Sequence, residues 1–340
     1  MKTILISGGM GFIGSNFIRY LINLNLDFRI VNVDKLTYAG NPENLEDFDK
    51  NYMDNYIFYK EDICDFEAIN KIITKEKVVY IVNFAAETHV DRSIDNPYLF
   101  IHTNVVGTQT LLHAAKKNHI IKFVQISTDE VYGSLGMDDP AFKETSPLSP
   151  NSPYSASKAS ADLLVNAYHK TYELPINITR CSNNYGPFQF PEKLIPLMIN
   201  NSLNNKELPV YGKGINIRDW IYVDDHSSAI LKVLLEGKLG EIYNIGGDCE
   251  IRNIDLVKNL LNILDKPESL IKFVKDRPGH DLRYAINHEK ITRELNWKPK
   301  ISIENGLKMT VQWYNDNKKW LDNVINKEYL RYYEKQYKHR

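Results

Sequence analysis

The sequence predicts an α/β fold, in which a doubly wound parallel sheet is followed by a smaller, mixed α/β C-terminal domain. Three observations support this prediction. Short apolar runs alternate with helical stretches through the first half of the chain, chemically active residues follow those runs, and the alternation breaks after residue 186. Strands that alternate with helices form parallel βαβ units, and such sheets bind ligands beyond the carboxyl ends of their strands.

Length and composition exclude several classes of protein. The 340 residues and 43% hydrophobic content suffice for a large core, and a net charge of −1 gives no field that favours nucleic acid or a membrane. No apolar run approaches the ~18 residues of a membrane span, and Gly8 ends the first run too early for a signal peptide. Cys64, Cys181 and Cys249 show no metal or disulfide spacing. We therefore expect a cytoplasmic protein without a metal.

The predicted strands follow the chain in order. Strands of the large sheet are expected at 2–7, 29–34, 56–60, 78–84, 122–127, 175–181 and 241–246. Helical patterns lie near 43–48, 66–75 and 97–117, and another helix opens at Ser152-Pro153, where Ser suits the N-cap and Pro the first helical position. We expect residues 1–185 to form the first domain, with 217–247 returning to it, and 186–216 and 248–340 to form the second.

The first strand–helix junction carries a dinucleotide-binding pattern. Gly8, Gly11 and Gly14 form G-x-x-G-x-x-G between a strand and a helix, so the backbone can approach a pyrophosphate at the helix N-terminus. Asp34 ends the second strand, 20 residues after Gly14. An acid there accepts hydrogen bonds from a ribose diol and repels a 2′-phosphate. The pattern predicts a Rossmann-like NAD site, and a solvated turn aspartate is the alternative.

A second group of reactive side chains lies between residues 128 and 158. Thr128, Asp129 and Glu130 follow the fifth strand, and Tyr154 and Lys158 are four residues apart on the next helix, so one substrate can meet both. The two carboxylates can share one task only if their protonation states differ. Because neighbouring residues on a strand point to opposite faces, both can reach one ring only if the strand has ended. An ordinary helix-surface pair is the alternative for Tyr154 and Lys158.

Together these motifs resemble the extended short-chain dehydrogenase/reductase family and, within it, the nucleotide-sugar 4,6-dehydratases. The match spans essentially the whole chain, and its closer motifs are the segments 85–93, 128–133, 182–187, 191–196, 218–220 and 276–280. Thr88 stands where that family usually has Ser, so a hydroxyl is retained. The resemblance implies a dehydratase of deoxysugar biosynthesis that acts on dTDP-glucose with tightly bound NAD. It also implies a homodimer built on the helices near 103–117 and 154–168.

The resemblance implies roles for single residues as well. Tyr154 would take the proton of the sugar 4-hydroxyl, with its pKa lowered from about 10 by Lys158 and the nicotinamide cation. Thr128 would hold the same oxygen, Glu130 would remove the C5 proton, and Asp129 would protonate the departing 6-hydroxyl. Expected cofactor contacts are Gly8, Gly11, Phe12, Ile13, Gly14, Asp34, Lys35, Thr37, Asp62, Ile63, Phe84, Ala85, Ala86, Thr103, Tyr154, Lys158 and Asn184. Expected substrate contacts are Thr88, Thr128, Asn183, Lys193, Leu194, Pro209, Tyr211, Arg218, Asn253, Arg277 and His280.

Several alternatives stay open at this stage. A UDP-sugar 4-epimerase or decarboxylase would share the glycines and the Tyr–Lys pair without needing Asp129 and Glu130, and a 4,6-dehydratase could act on a UDP-, CDP- or GDP-sugar. Ser155-x-x-Lys158 matches a serine-nucleophile pattern whose companion motifs are missing. A non-catalytic NAD-binding module would be expected to have lost the reactive residues. The basic, aromatic segment 329–340 is expected to be a solvated terminal helix rather than a nucleic-acid site.

Overall fold

Seven parallel strands form one large sheet at the centre of the molecule. The computed structural model describes residues 1–46, 55–276, 279–325, 329, 331 and 333–334. Its strands are β1 Lys2–Ser7, β2 Phe28–Val33, β3 Tyr56–Tyr59, β4 Val78–Asn83, β5 Lys122–Thr128, β6 Ile176–Cys181, β7 Asn183–Tyr185, β8 Leu208–Tyr211, β9 Ile217–Tyr222, β10 Ile242–Ile245, β11 Glu250–Arg252 and β12 Ile271–Val274. The large sheet has the order β10-β6-β5-β4-β1-β2-β3, and each neighbouring pair is parallel. This is the doubly wound sheet that the alternating pattern predicts.

Helices cover both faces of this sheet. Over the whole described chain, including the C-terminal part, the α-helices are α1 Phe12–Asn23, α2 Phe66–Glu76, α3 Val90–Asp95, α4 Pro97–Phe100, α5 Thr108–Lys117, α6 Pro153–Tyr172, α7 Leu194–Leu203, α8 Val223–Glu236, α9 Asn253–Ile263, α10 Glu289–Leu295, α11 Ile303–Asp316 and α12 Lys318–Val324. Since strand residues alternate between faces, Ile4 of β1 packs in the same core as Phe17 of α1, whereas Leu5 packs in the core that holds Leu111 of α5. Within the described residues, none of the helices is both long and apolar enough to cross a membrane.

Two smaller sheets, β11-β9-β7 and β12-β8, form the C-terminal part. They surround a separate apolar core that includes Trp220, Leu260 and Tyr314. Within 217–247, the span expected to return to the first domain, β9 pairs with β7 and β11 in a small sheet. By contrast, β10 pairs with β6 at the edge of the large sheet. The bounds of the two domains remain a prediction.

Three local features differ from the predicted pattern. A π-helix, Ile101–Gly107, interrupts the helix expected at 97–117. The helix expected at 43–48 begins as the 3₁₀ helix Pro42–Leu45, and its residues from 47 onward lie outside the described part of the chain. In the C-terminal segment, which we expected to be solvated, Tyr329 is buried and its hydroxyl donates a hydrogen bond to the Pro191 carbonyl at 3.1 Å.

Candidate active site

One cleft opens beyond the carboxyl ends of the strands of the large sheet. Every residue predicted to contact the cofactor lines this cleft, and so does every predicted catalytic residue. The reason is topological, since parallel strands bring their carboxyl ends to the same edge of the sheet. Residues far apart in the sequence therefore meet there, and the cleft is the candidate active site.

Backbone forms the floor of the cleft at the glycine loop. Gly8 has a φ of +72°, and a Cβ at this position would lie 2.6 Å from the Ala85 nitrogen. A Cβ on Gly14 would lie 2.3 Å from the Gly8 carbonyl oxygen. Gly11 is the N-cap of α1 and offers no side-chain acceptor, which leaves the first amides of the helix for a ligand. This cradle fits a pyrophosphate at a helix N-terminus.

Asp34 fixes the loop that follows β2. Its carboxylate accepts hydrogen bonds from the backbone amides of Leu36, at 2.8 Å, and Met10, at 3.0 Å. Burial raises the pKa of Asp34, and these two amides act in the opposite direction. Each carboxylate oxygen has a second lone pair, so the side chain can also accept from a ribose diol. Next to it, Lys35 Nζ lies 2.6 Å from an Asp62 oxygen. The residues of this corner suit NAD, whose ribose carries no 2′-phosphate.

The chain turns out of the sheet directly after Thr128. Residues Asp129–Tyr132 form a 3₁₀ helix, and Thr128 is its N-cap. The Thr128 hydroxyl accepts from the Glu130 amide and donates to an Asp129 oxygen, both at 3.3 Å. Because the strand has ended, Asp129 and Glu130 both line the cleft. This meets the geometric condition that a shared role for the two carboxylates requires.

The two carboxylates differ in their surroundings. Asp129 is 2% exposed, whereas Glu130 is partly exposed. Burial raises the pKa of Asp129 well above its ordinary value, and the charges of Glu130 and Asp219 raise it further. Its Oδ2 atom has no hydrogen-bond partner among the described residues. Asp129 is therefore suited to hold a proton that it can donate into the cleft.

Tyr154 and Lys158 lie on one face of α6, which starts as predicted. Ser152 caps the helix and Ser155 completes a capping box. The Ser155 hydroxyl accepts from the Ser152 amide at 3.0 Å, is 2% exposed and does not line the cleft, so it is not placed to attack a ligand there. The Lys158 ammonium donates to the Ile126 carbonyl at 2.7 Å, and burial lowers the pKa of Lys158.

The groups of the protein itself shift the pKa of Tyr154 upward, whereas the lowering that we expect depends on a nicotinamide cation as well as on Lys158. Burial raises this pKa well above the ordinary value, and the negative charge of Glu130 adds to this, while a hydrogen bond with Thr128 acts to lower it. Burial is a tertiary property, so the spacing of Tyr154 and Lys158 could not reveal it. The protein's own groups thus hold the phenol protonated, and a cation beside it would be needed to lower its pKa.

Two buried side chains near the cleft had no predicted role. Asn104, in the π-helix, binds both backbone groups of Glu87 and donates to the Ser157 hydroxyl at 2.8 Å. His226 Nδ1 lies 2.8 Å from the Asn184 side-chain oxygen, and burial lowers the pKa of His226 to about 3. No sequence motif indicates either contact, because each contact joins segments that are distant in the sequence.

Among the described residues, no group of His, Cys, Asp or Glu side chains is arranged to hold a metal ion.

The predicted substrate residues fall into two sets. Thr88, Thr128, Asn183 and Lys193 line the cleft. A second set, beside or beyond the cleft walls, comprises Leu194, Pro209, Tyr211, Arg218, Asn253 and His280. Arg277 lies outside the described residues. The structure therefore brings part of the predicted substrate site to the cofactor cleft and leaves the other described residues on C-terminal strands, helices and loops.

Side chains of the second set are held by the protein itself. Arg218 is buried and donates to the carbonyls of Ile217, at 2.7 Å, and Asp281, at 2.9 Å. Its charge also acts to lower the pKa of Asp129. The Tyr211 hydroxyl donates to Asp91 at 3.2 Å. Arg218 is therefore electrostatically coupled to the Asp129 carboxylate although it does not line the cleft.

Comparisons of sequence and of structure with known proteins both find sugar-nucleotide 4,6-dehydratases. A family model described as GDP-mannose 4,6 dehydratase matches residues 5–310. A dTDP-glucose 4,6-dehydratase of Escherichia coli K12 is 50% identical over 99% of this chain and 99% of its own length. The NAD complex of the Bacillus anthracis dTDP-glucose 4,6-dehydratase has a TM-score of 0.89 and 50% identity, covering 95% of this chain and 100% of the other. The Streptomyces venezuelae enzyme, with NAD and dTDP bound, has a TM-score of 0.91 and 47% identity, covering 95% and 99%.

Proposed function

The chain belongs to the GDP-mannose 4,6 dehydratase family, within the extended short-chain dehydrogenases/reductases, and from this premise we propose how its cleft works. The reaction is the NAD-dependent dehydration of dTDP-glucose to dTDP-4-keto-6-deoxyglucose. It comprises oxidation at C4, elimination of water across C5 and C6, and return of hydride to C6. One observation carries the assignment of roles. Asp129 and Glu130 leave the strand together and line the same cleft as Tyr154.

Tyr154 acts first, on the sugar 4-hydroxyl. Its phenolate accepts the hydroxyl proton, and the Thr128 hydroxyl holds the same oxygen. NAD, when bound, supplies the hydride acceptor and a positive charge beside the phenol. Lys158 contributes a second positive charge at the base of the cleft, fixed by its bond to the Ile126 carbonyl. These charges oppose the burial that raises the pKa of Tyr154.

Glu130 then acts as the base of the elimination, and Asp129 acts as its acid. The ketone at C4 acidifies the C5 hydrogen, and Glu130 accepts this proton. Asp129 donates its proton to the 6-hydroxyl as the C6–O bond breaks, so that water leaves. The raised pKa of Asp129 suits the acid, and the greater exposure of Glu130 suits the base. When hydride is returned to C6, Glu130 gives the proton back to C5. Tyr154 then releases the proton that it took from the 4-hydroxyl, and Asp129 takes up a proton from solvent, so both groups return to their starting states.

The substrate's nucleotide diphosphate lies along the C-terminal side of the cleft. Lys193 and Asn183 line this side and provide hydrogen-bond donors for phosphate oxygens. Thr88 faces the sugar from the segment after β4. The outer residues complete the site around the base and diphosphate, and these are Leu194, Pro209, Tyr211, Arg218, Asn253, Arg277 and His280. Support for this set comes from the family motifs and from the buried, unpartnered side-chain oxygen of Asn253.

A second copy of the chain covers the outer face of α4 to α6. Exposed apolar side chains there include Tyr98, Ile101, Val106 and Leu163, with exposed fractions from 42% to 74%. Water-exposed apolar clusters of this kind favour a protein interface. We expect Leu163→Glu to yield monomers by light scattering. Leu235→Glu, at a similarly exposed leucine of α8, is the control and should leave a dimer; equal behaviour of both variants would contradict this interface.

The protein is expected to work in the cytoplasm. Cys64, Cys181 and Cys249 are all free thiols, which is typical of a reducing compartment. Fractionation of cells that produce the protein would test this expectation.

The activity is tested by incubating the purified protein with dTDP-glucose, without added NAD, and following the sugar nucleotide by mass spectrometry. Loss of one water is the expected result, with retained NAD regenerated in each cycle. UDP-glucose at the same concentration is the matched comparison for the base. Conversion to dTDP-galactose at unchanged mass would indicate an epimerase and overturn the roles of Asp129 and Glu130. The absence of reaction, even with NAD supplied, would contradict the proposal.

A further inference from the structure

Three side chains, Tyr38, Arg92 and Glu192, form a cluster beside the cleft that the mechanism does not use. The Tyr38 hydroxyl donates to Glu192 Oε1 at 2.9 Å, and Arg92 Nε donates to Glu192 Oε2 at 3.0 Å. The Arg92 guanidinium stacks 3.7 Å from the centre of the Tyr38 ring. The Glu192 side chain is 2% exposed. A buried carboxylate thus has each oxygen bound to a different segment.

Each member of this cluster lies close in sequence to a residue of the site. Tyr38 follows Thr37 in the cofactor loop after β2. Arg92, on α3, belongs to the segment after β4 that also carries Thr88. Glu192 directly precedes Lys193, whose ammonium donates to the Thr88 carbonyl at 3.0 Å. The cluster therefore ties the cofactor loop to the segment that brings Lys193 to the cleft.

The cluster also forms part of the wall between the cleft and a second, neighbouring cavity. Tyr38 and Arg92 line the neighbouring cavity, whereas Thr37, Glu87 and Phe190 line both spaces. Phe190 packs edge-on against Tyr38, with ring centres 5.6 Å apart. Loss of the Glu192 contacts would loosen this wall, because removing one partner leaves a buried group unsatisfied.

We propose that Glu192 is a positioning residue that fastens the substrate-side segment to the cofactor loop, thereby retaining NAD and holding Lys193 in place. The inference rests on the proposed function for the roles of the cofactor loop and Lys193. It adds a reason why NAD can stay bound through many cycles. Tyr38 and Arg92 are the two attachment points through which Glu192 acts.

The test compares Glu192→Gln and Tyr38→Phe with wild type. Glu192→Gln keeps the shape but removes the charge that pairs with Arg92, and Tyr38→Phe removes one hydrogen bond and keeps the ring. The matched control is Tyr59→Phe. Tyr59 donates to Glu76 at 2.6 Å, and Arg29 pairs with the same carboxylate at 2.8 Å, so a similar trio exists outside the cleft.

The main measurement is the rate at which bound NAD exchanges with deuterium-labelled NAD, read by mass spectrometry without turnover. We expect the rate to rise about tenfold in Glu192→Gln and about fivefold in Tyr38→Phe, the factors typical of one lost charged or neutral hydrogen bond. Tyr59→Phe should match wild type. The KM for dTDP-glucose should rise in both cluster variants by more than kcat falls, because Lys193 is displaced while the reacting groups remain.

Wild-type exchange rates and KM values in both cluster variants would overturn the inference. A rise as large in Tyr59→Phe would also overturn it, since the effect would then be general destabilisation. Failure of the proposed function is separable from these outcomes. A wild-type protein that does not dehydrate dTDP-glucose would contradict that function, while NAD exchange would still decide whether Glu192 retains the cofactor.

Discussion

The cofactor side and the substrate side of the cleft are made of different parts of the chain. On the cofactor side, the surface of the cleft at the glycine loop is formed by backbone, because this loop leaves no room for a Cβ at Gly8 or Gly14. On the substrate side, side chains such as Lys193 project from loops and from the edges of two small sheets. We infer that substitutions on the cofactor side affect folding and NAD together, whereas those on the substrate side change affinity and leave the fold intact.

The largest effect is expected at Tyr154, where the two sides meet. Tyr154→Phe removes the phenol that accepts the 4-hydroxyl proton, so kcat should fall about 10³-fold, within the range typical of general acid–base groups. The NAD content of the purified protein should not change. Steady-state assays and NAD quantification check both points. Tyr168→Phe on the same helix is the control, and activity retained in Tyr154→Phe would remove Tyr154 from the mechanism.

Running the reaction in D2O should distinguish the role of Glu130 from the role of Asp129. Glu130→Gln and Asp129→Asn are each expected to lower dehydration about 10²-fold or more. Glu130→Gln should also abolish deuterium uptake at C5, because it lacks the base. Asp129→Asn should continue to exchange C5 hydrogen in recovered dTDP-glucose, because only the departing oxygen lacks its proton donor. Mass spectrometry of the recovered sugar decides, and identical labelling in both variants would contradict the division of roles.

Two glycines of the same loop test whether close backbone packing constrains the cofactor side. An alanine Cβ at position 14 would meet backbone at 2.3 Å, whereas one at position 11 would lie 3.3 Å from its nearest neighbour. Gly14→Ala should therefore lower the free energy of unfolding by roughly 1–3 kcal/mol, as overpacking does. Gly11→Ala should cost clearly less. Denaturant unfolding measures both, and equal losses would show that crowding is not the constraint.

Substitutions on the substrate side should change the affinity for dTDP-glucose and leave the stability of the fold unchanged. Lys193→Gln removes a positive charge expected near the diphosphate, so the KM for dTDP-glucose should rise about tenfold, as expected for one lost charge-assisted hydrogen bond. The free energy of unfolding should change little. Lys232→Gln, which breaks the exposed pair with Glu236 on α8, is the control. An unchanged KM in Lys193→Gln would place the diphosphate elsewhere.

The smallest effect concerns stability and pH at Asp129. Its raised folded-state pKa means that the folded protein holds this proton to higher pH than the unfolded chain does. Stability is therefore lost as pH rises above the ordinary aspartate value of about 4 and towards the folded pKa. Asp129→Asn does not titrate, so its stability relative to wild type should increase with rising pH across this window. Unfolding measured from pH 4 to 8 checks the sign, and a pH-independent difference would contradict it.

The cofactor side was largely predictable because local rules determine it. Glycine sterics and the position of Asp34 at the end of a strand follow from the sequence alone. The capped start of α6 at Ser152 was equally visible. These features depend on residues close together in the chain, and on a sheet order that alternating patterns imply.

The substrate side was less predictable because non-local contacts determine it. The surroundings of Arg218 depend on the pairing of β9 with β7 and β11, which no local pattern in the sequence indicates. The pKa of Tyr154 depends on burial and on the charge of Glu130, neither of which the spacing of Tyr154 and Lys158 reveals. The contacts of Asn104 depend on a π-helix that no periodicity indicated. Each of these properties arises only when distant segments pack together.

Both sides of the cleft are proposed to act on one sugar ring with NAD that stays bound throughout each catalytic cycle. The most direct measurement uses dTDP-glucose carrying deuterium at C4, mixed with unlabelled substrate and with unlabelled NAD in solution. We expect the deuterium to reappear at C6 of the same sugar molecule, with none transferred to unlabelled sugar or to free NAD. Deuterium found in solvent, in free cofactor or spread over both sugar pools would contradict the account.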